Sequence, residues 1–221
     1  MSQPLSGLYV ITPDRSPVAA ETQESLPELV ARAIRGGARV VQYRDKGSDW
    51  GRRRTEATAL ATLCRDAGIP LIINDDVELA AAVAADGVHL GRDDADPRAA
   101  RQHLGPDAII GVSCYDRLDL ALAAERAGAS YVAFGSFFPS PTKPGAVRPE
   151  PGLLTQARRT LRLPLVAIGG ITPQNAGALI AAGANLVAVI TGVFAAPDVA
   201  AAARAYSRLF SGPGRPTEDL Q

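Results

Sequence analysis

Eight apolar runs that alternate with eight helix-like segments predict an α/β protein folded as a single (β/α)8 barrel, or TIM barrel. The runs are continuous and do not alternate with polar residues, as parallel strands covered on both faces require. The segments between them carry apolar residues at helical spacing and often end in glycine. Eight such repeats in about 210 residues lie near the lower end of the size range of this fold.

The predicted elements follow one another in strict alternation. The strands are LYVIT (8–12), VVQY (40–43), LIIN (71–74), GVHL (87–90), AIIGVS (108–113), YVAFG (131–135), LVAIGG (165–170) and LVAVIT (186–191). The helices cover residues 25–36, 50–67, 77–85, 97–104, 117–127, 150–161, 173–182 and 197–210. Asp96 before Pro97 and Thr172 before Pro173 mark two helix starts, because each puts a capping residue before a proline at the first helical position.

An open doubly wound sheet is the main alternative to the barrel. It predicts a G-x-G-x-x-G turn after the first strand, whereas ITPDRSPV follows there. No linker divides the chain, so we expect one domain over residues 1–210. Residues 211–221, SGPGRPTEDLQ, have the composition of a disordered tail.

Composition excludes several classes of protein. The 221 residues include 23 basic and 23 acidic side chains, so no net field favours nucleic acid or an anionic membrane. No basic head precedes the N-terminal apolar run and no apolar stretch reaches about 18 residues, so we expect neither secretion nor a membrane span. Cys64 and Cys114 lack the spacing of a zinc site and fit reduced thiols in a cytoplasmic protein.

The end of the second strand carries alternating polar residues. In this fold catalytic groups lie at the C-terminal ends of the strands. In QYRDK, Gln42, Arg44 and Lys46 point to one side of an extended chain, with Tyr43 and Asp45 on the other. Cations directed into a barrel need an anion, which indicates a phosphate or diphosphate site. The alternative is a solvated strand end with salt bridges to nearby aspartates.

Two acids that follow neighbouring strands are candidates for a metal site. Asp75 and Asp94 supply the hard oxygen ligands of Mg²⁺, which is usually held by one or two carboxylates with substrate phosphates and water. The alternative is that such acids cap the helices that begin near residues 76 and 95. For Asp76 and Asp93 we prefer this capping interpretation.

The longest connection, residues 136–149, follows the sixth strand. Its prolines stiffen it, and its hydroxyls and ammonium could grip a phosphate and shield a reactive intermediate from water. These polar residues are Ser140, Thr142 and Lys143. The alternative is an ordinary surface loop.

Glycines end the last two strands, in GGIT (169–172) and ITG (190–192). They let backbone N–H groups approach a ligand, as in the monophosphate site of many barrels. Two anion sites at one mouth, one of them with a metal, indicate two phosphorylated substrates.

Together these motifs resemble the thiamine-phosphate synthase family over roughly residues 7–195. The resemblance rests on their order and spacing, since none is specific alone. The motifs are QYRDK (42–46), INDD (73–76), ADGVHLGRDD (85–94), GVS (111–113), PSPTK (139–143), GGI (169–171) and VIT (189–191).

The resemblance implies two substrate sites and one metal site. The aminopyrimidine diphosphate would contact Gln42, Tyr43, Arg44, Asp45, Lys46, Asn74, Ser113 and Lys143, of which Arg44, Lys46, Ser113 and Lys143 would be catalytic. The thiazole phosphate would contact Ser140, Pro141, Thr142, Gly170, Ile190 and Thr191. Mg²⁺ would lie on Asp75 and Asp94. The sequence departs from the commonest pattern at Ser140 (threonine is usual), Thr191 (serine) and Arg92 (glutamine). The first two keep a hydroxyl, whereas Arg92 adds a cation near the metal acids that either tunes the affinity for diphosphate or faces solvent.

The implied reaction is a transfer of the pyrimidinylmethyl group. Mg²⁺, Arg44, Lys46 and Lys143 would stabilise the charge that develops on the leaving diphosphate. The family is understood to react by a dissociative route, in which the thiazole nitrogen then attacks the pyrimidine methylene to give thiamine phosphate. No protein nucleophile is needed, in agreement with the lack of a Ser-His-Asp set. His89 is interpreted as a hydrogen-bonded strand residue.

Two rival functions remain. A related thiazole tautomerase uses a histidine just after the GVS-like strand end, where this sequence has Cys114 and Tyr115. A non-catalytic sensor of phosphorylated ligands would not require Lys143 or both metal acids. Small-molecule substrates are the expected partners, with a homo-oligomer left open.

Overall fold

The computed structural model of the chain describes residues 5–14, 24–139 and 148–211, in which eight parallel strands form a closed barrel. Strands adjacent in sequence pair with each other, and the last pairs with the first to close the barrel. The strands are β1 (Gly7–Ile11), β2 (Ala38–Tyr43), β3 (Leu71–Asn74), β4 (Gly87–Leu90), β5 (Ile109–Tyr115), β6 (Tyr131–Phe134), β7 (Leu165–Ile168) and β8 (Leu186–Val189). The predicted (β/α)8 fold is therefore confirmed.

Helices separate the strands as predicted. They are α1 (Leu26–Arg35), α2 (Trp50–Asp66), α3 (Val77–Ala82), α4 (Pro97–Leu104), α5 (Leu118–Arg126), α6 (Gly152–Thr160), α7 (Pro173–Ala181), α8 (Thr191–Phe194) and α9 (Val199–Ser207), followed by a 3₁₀ turn (Arg208–Phe210). Within these described segments, the sequence did not predict α8, because the apolar run through residue 191 was assigned to the last strand. Ile190 turns the chain out of the strand with φ −110° and ψ −85°.

Burial on both faces explains the continuous apolar runs. One face of each strand packs against the helices, and the other lies inside the barrel. The interior cluster consists of Tyr9, Ile11, Val40, Ile72, Tyr131, Ala133, Val166, Leu186 and Ala188. Each fully buried aliphatic side chain contributes roughly 1.5–3 kcal/mol, so this double burial supplies the main stabilisation of the barrel.

Acidic residues cap the helices that begin at the mouth of the barrel. Asp76 accepts a hydrogen bond from Leu79 N at 2.9 Å, which confirms its predicted capping role in α3. Asp96 caps α4 through Arg98 N at 2.8 Å. The capping interpretation of Asp93 was wrong, because α4 begins only at Pro97 and the residue directly before the proline takes the cap position.

Both cysteines are free and buried, as the prediction of reduced thiols requires. Burial raises the pKa of Cys64 and of Cys114 to about 12, so both stay protonated at neutral pH. Among the described helices, none is long and apolar enough to cross a membrane. Apart from Ser211, the predicted tail lies outside the described residues.

Removing the cap of α4 should lower stability by about 1 kcal/mol, because two backbone N–H groups lose their acceptor. Urea unfolding of Asp96→Ala should show a lower midpoint with an unchanged slope. The matched control is Asp93→Ala, which removes an exposed carboxylate that does not cap the helix and should stay within about 0.5 kcal/mol of wild type. Equal losses in both variants would contradict the assignment of the cap.

Candidate active site

The end of β2 directs three predicted site residues toward the barrel interior and mouth. Gln42 is 2% exposed, and its Nε2 donates to Tyr9 Oη at 2.7 Å inside the barrel. The Arg44 guanidinium forms an ion pair with Asp14, and the Lys46 ammonium forms one with Asp75. Each cation therefore meets a carboxylate that follows a neighbouring strand.

Tyr43 and Asp45 lie on the opposite side of the same segment. Tyr43 donates a hydrogen bond to Glu56 of α2 at 2.8 Å, and Asp45 forms an ion pair with Arg52 of that helix. Burial alone would raise the pKa of Asp45, but Arg52 and the backbone N–H of Gly47 hold it below its ordinary value. The structure thus separates this pair from Gln42, and their substrate contacts remain predictions.

Asp75 and Asp94 face each other at the ends of β3 and β4. Asp75 has a left-handed backbone with φ +63°, and Asp94 accepts a hydrogen bond from Gly91 N at 2.6 Å. Burial raises the pKa of Asp94, and the Asp75 carboxyl beside it raises that pKa further, although the Gly91 N–H acts in the opposite direction. Two anionic groups are therefore held close together, with the Lys46 ammonium next to them.

This pair of acids fits a magnesium ion. Within the described segments, no cluster of three or more histidine, cysteine or acidic side chains could hold a metal. Mg²⁺ needs no such cluster, because one or two carboxylates suffice when substrate phosphates and water complete the octahedron. Asp75 and Asp94 supply that donor set beside Lys46, whose charge would face the same phosphates.

Ser113 of β5 and His89 of β4 contact each other inside the barrel. His89 Nε2 lies 2.9 Å from Ser113 Oγ, and His89 Nδ1 lies 3.0 Å from Tyr131 Oη. The interpretation of His89 as a hydrogen-bonded strand residue is confirmed. Asn74 ends β3, half-buried, directly beside His89 in the register. Ser113, His89 and Asn74 therefore form a polar group above the apolar residues of the barrel interior.

The glycine turn after β7 packs against the beginning of the connection that follows β6. A Cβ at Gly169 would overlap the Ser136 side chain, and one at Gly170 would overlap the carbonyl of Pro139. Asn175 holds the turn from the other side by donating to Gly170 O at 3.1 Å. The glycines therefore let this connection approach the end of β7 closely.

Residues 140–147 lie outside the described residues, so the predicted roles of four of them receive no structural account. These are Ser140, Pro141, Thr142 and Lys143. Ile190 and Thr191 lie at the junction of β8 and α8, next to the strand that closes the barrel. Their contact with the thiazole phosphate remains a prediction.

Arg92, the residue that departs from the family pattern, lies over the ring of Tyr115. Its Cζ is 4.8 Å from the ring centroid, a distance at which a guanidinium is attracted to an aromatic face. Arg92 therefore belongs to the rim of the mouth between β4 and β5, and its charge is partly engaged by this contact.

Sequence reasoning missed two residues that follow β1. Thr12 is fully buried, accepts from Arg44 N at 2.8 Å and donates to Arg44 O at 3.2 Å. Asp14 accepts from Lys46 N at 3.1 Å while its other oxygen binds the Arg44 guanidinium. Their position at the end of a strand could have marked both residues as candidates for the site. No sequence pattern, however, showed that they would contact the residues that follow β2.

Comparison with known proteins agrees with this geometry. The family model described as "Thiamine monophosphate synthase" matches residues 8–193. The chain belongs to this family. A thiamine-phosphate synthase of Azoarcus sp. is 56% identical over 211 residues, which are 96% of this chain and 100% of that protein. One from Thioalkalivibrio sulfidiphilus is 54% identical over 93% of this chain and 96% of that protein.

Solved structures give the same result. A thiamine phosphate pyrophosphorylase from Pyrococcus furiosus superposes with a TM-score of 0.81 at 33% identity, covering 93% of this chain and 95% of that one. A structure described as native KDPGal has a TM-score of 0.72 at 18% identity, covers 95% of this chain and 97% of that one, and so supports the fold alone. As a member of the thiamine-phosphate synthase family, the chain is a transferase of thiamine biosynthesis.

Asp14 should act as a positioning residue for Arg44 and Lys46, the two cations that follow β2. Asp14→Ala removes both contacts, so Arg44 and the backbone at Lys46 lose their orientation, and kcat/KM for thiamine phosphate formation should fall about tenfold. Asp14→Asn keeps an acceptor for Lys46 N and should lose less. Initial rates of product formation measure both variants.

The control for Asp14 is Asp107→Ala, which removes an exposed carboxylate before β5, at the opposite end of the barrel. It should leave kcat/KM within about twofold of wild type, as expected for a surface substitution away from the site. Asp14→Ala with the same kcat/KM as this control would show that Asp14 positions nothing.

Proposed function

We propose that the chain catalyses the Mg²⁺-dependent transfer of the 4-amino-2-methylpyrimidin-5-ylmethyl group from its diphosphate to the nitrogen of 4-methyl-5-(2-phosphooxyethyl)thiazole. The products are thiamine phosphate and diphosphate. One observation supports this most directly. Lys46 follows β2, two residues after Arg44, and forms an ion pair with Asp75, which faces Asp94. Cations beside a pair of acids that would bind a metal ion are suited to the negative charge of a diphosphate leaving group.

The two cations of this mouth are paired with carboxylates. Arg44 is held by Asp14 and Lys46 by Asp75. A diphosphate would replace these carboxylates as the partner of each cation, and its negative charge would be stabilised as the carbon–oxygen bond breaks. Both cations are already near their working positions, so little reorganisation is required.

Asp75 and Asp94 would hold the magnesium ion. When bound, Mg²⁺ supplies Lewis-acid stabilisation of the leaving diphosphate. The Gly91 N–H orients the Asp94 carboxylate, and Asp75 is placed beside it on a left-handed backbone. The Lys46 ammonium, released from Asp75, would then be available to the diphosphate.

The barrel interior suits a dissociative route. Gln42 and Ser113 offer polar contacts to an aminopyrimidine, while the apolar floor beneath them excludes water from a pyrimidinylmethyl cation. No protein nucleophile is required, and the buried cysteine thiols, Cys64 and Cys114, are protonated at neutral pH. The second substrate, the thiazole, would supply the attacking nitrogen.

The thiazole phosphate would bind at the ends of β7 and β8. Gly170 has φ +59° and a backbone held by Asn175, so its turn presents main-chain groups to the mouth. Thr191 begins α8 beside it. The sequence adds two hydroxyls and an ammonium from Ser140, Thr142 and Lys143, which the resemblance assigns to the substrates.

We also infer a cytoplasmic enzyme whose partners are its two small-molecule substrates. The equal numbers of acidic and basic residues support this, because they provide no field for nucleic acid. The free, buried cysteines agree with a reducing compartment. A homo-oligomer remains compatible with these observations.

Asp75→Asn should lower kcat at least about a hundredfold at saturating substrate and raise the Mg²⁺ concentration needed for half-maximal rate. Asparagine tolerates the left-handed backbone that this position requires, so the fold should be retained and the urea midpoint should change little. The effect is measured as the release of diphosphate when both substrates are present and Mg²⁺ is titrated.

The neighbouring Asp76 provides a matched control. Asp76→Asn keeps a good helix cap and loses only the ion pair with Arg53, so kcat should stay near wild type with a small loss of stability. Equal activity of the two variants would reject the metal assignment. If the wild-type protein released no diphosphate, the transferase would give way to the tautomerase or the sensor.

A further inference from the structure

Five interior side chains from five strands form one continuous hydrogen-bonded network. Gln42 Nε2 donates to Tyr9 Oη at 2.7 Å, and Tyr9 Oη lies 2.8 Å from Tyr131 Oη. Tyr131 Oη lies 3.0 Å from His89 Nδ1, and His89 Nε2 lies 2.9 Å from Ser113 Oγ. We call these five residues the interior network. It joins the two side chains that the proposed function assigns to the aminopyrimidine.

The packing around the network is specific to it. Tyr9 and Tyr131 are 2% and 1% exposed, and their rings meet edge to face with centroids 5.9 Å apart. The ring of His89 stacks on Tyr131 at 5.6 Å. A Cβ at Gly111 would overlap the phenol of Tyr131, so only glycine leaves room for that ring. Phenylalanines would fill the same space, and the two hydroxyls are tolerated there because they bond to each other and to the network's other members.

Proton counting gives the network a direction. Burial raises the pKa of Tyr9 and of Tyr131 far above neutrality, so each phenol keeps its single proton. Since Gln42 donates to Tyr9, all protons are used only if Tyr9 donates to Tyr131 and Tyr131 donates to His89 Nδ1. The neutral tautomer of His89 that fits these bonds carries its proton on Nε2 and donates to Ser113.

The two ends of the network therefore change together. In the direction just described, the Gln42 amide oxygen and the Ser113 proton both remain available to a ligand. If Gln42 rotated its amide by 180°, every hydrogen bond between it and Ser113 would have to reverse. Ser113 would then donate its proton to His89 Nε2 and could only accept a hydrogen bond from a ligand. An aminopyrimidine carries an N–H donor beside ring-nitrogen acceptors, so it requires one acceptor and one donor in a fixed arrangement.

We propose that Tyr9, Tyr131 and His89 are positioning residues that couple the amide orientation of Gln42 to the donor state of Ser113. The proposal rests on the proposed function, because it takes both ends of the network to contact the pyrimidine. None of the three positioning residues has to touch the substrate. Their effect is to present the complementary acceptor and donor as a unit before the substrate arrives.

A double-mutant cycle tests the coupling. Gln42→Leu, Ser113→Ala and the double variant are compared by kcat/KM for the aminopyrimidine diphosphate, first in wild type and then in Tyr131→Phe. In wild type the effects should be non-additive by at least about fivefold. In Tyr131→Phe, where the network is cut, they should be additive within about twofold. Tyr9→Phe cuts the network one step earlier and serves if Tyr131→Phe does not fold.

Tyr206→Phe is the matched control for the cycle. Tyr206 is 1% exposed and its hydroxyl donates to Ile171 O at 3.0 Å, so the variant loses a comparable buried hydrogen bond outside the network. The coupling between Gln42 and Ser113 should keep its wild-type value in this background. Coupling that passes only through the substrate would survive Tyr131→Phe as well, and that result would overturn the proposal.

Nitrogen-15 NMR of histidine tests the direction without any turnover. The chain has two histidines, so His103→Gln, a change on the exposed surface of α4, leaves His89 as the single imidazole. Near pH 8 the Nε2–H tautomer should dominate, and Tyr131→Phe should shift the population toward a mixture, whereas Tyr206→Phe should not. A dominant Nδ1–H tautomer or an imidazolium would reject the network's direction. Failure of wild type to make thiamine phosphate would instead reject the proposed function.

Discussion

Charge balance at the mouth of the barrel is the constraint on which the site depends. A cation held near a low-dielectric interior is costly unless an anion answers it. Arg44, whose side chain is 18% exposed, meets this requirement through Asp14, whereas the more exposed Lys46 pairs with Asp75 beside solvent. Under the proposed function, a diphosphate would become the partner of both cations, and Asp75 would be one of the two residues that hold the magnesium ion. The two acids are therefore the partners of the two cations at this mouth.

The fold was predictable from the sequence because its main driving force appears directly in the pattern of apolar residues. Strands buried on both faces must be continuous apolar runs, and all eight were found at nearly their observed bounds. Hydrophobicity reports burial and says little about backbone angles, however. The predicted strands therefore ran on to 170 and 191, although Gly169 turns the chain with φ +102° and Ile190 leaves the strand region.

The candidate site was predictable where one strand supplies the whole pattern and where acids follow neighbouring strands, as Asp75 and Asp94 do. Alternation within QYRDK separated Gln42 from Tyr43, and the structure shows the first inside the barrel and the second against α2. Most other side-chain contacts between strands escaped prediction. Asp14, Tyr9 and Tyr131 acquire their partners from the closure of the barrel and from the register of its strands, neither of which a single sequence specifies.

The interior network explains why the barrel is not filled with aliphatic side chains throughout. Val40, Val166 and Leu186 pack the interior without any hydrogen-bonding requirement, whereas each polar member of the network would cost about 1–3 kcal/mol if left without a partner. Such residues persist in a core only where every one is satisfied. Because Gln42 and Ser113 lie at the ends, the requirement for full satisfaction inside the barrel also fixes what those two ends offer to a ligand. Under the proposed function, the same hydrogen bonds that make the polar layer tolerable to the fold would also set how that layer recognises a pyrimidine.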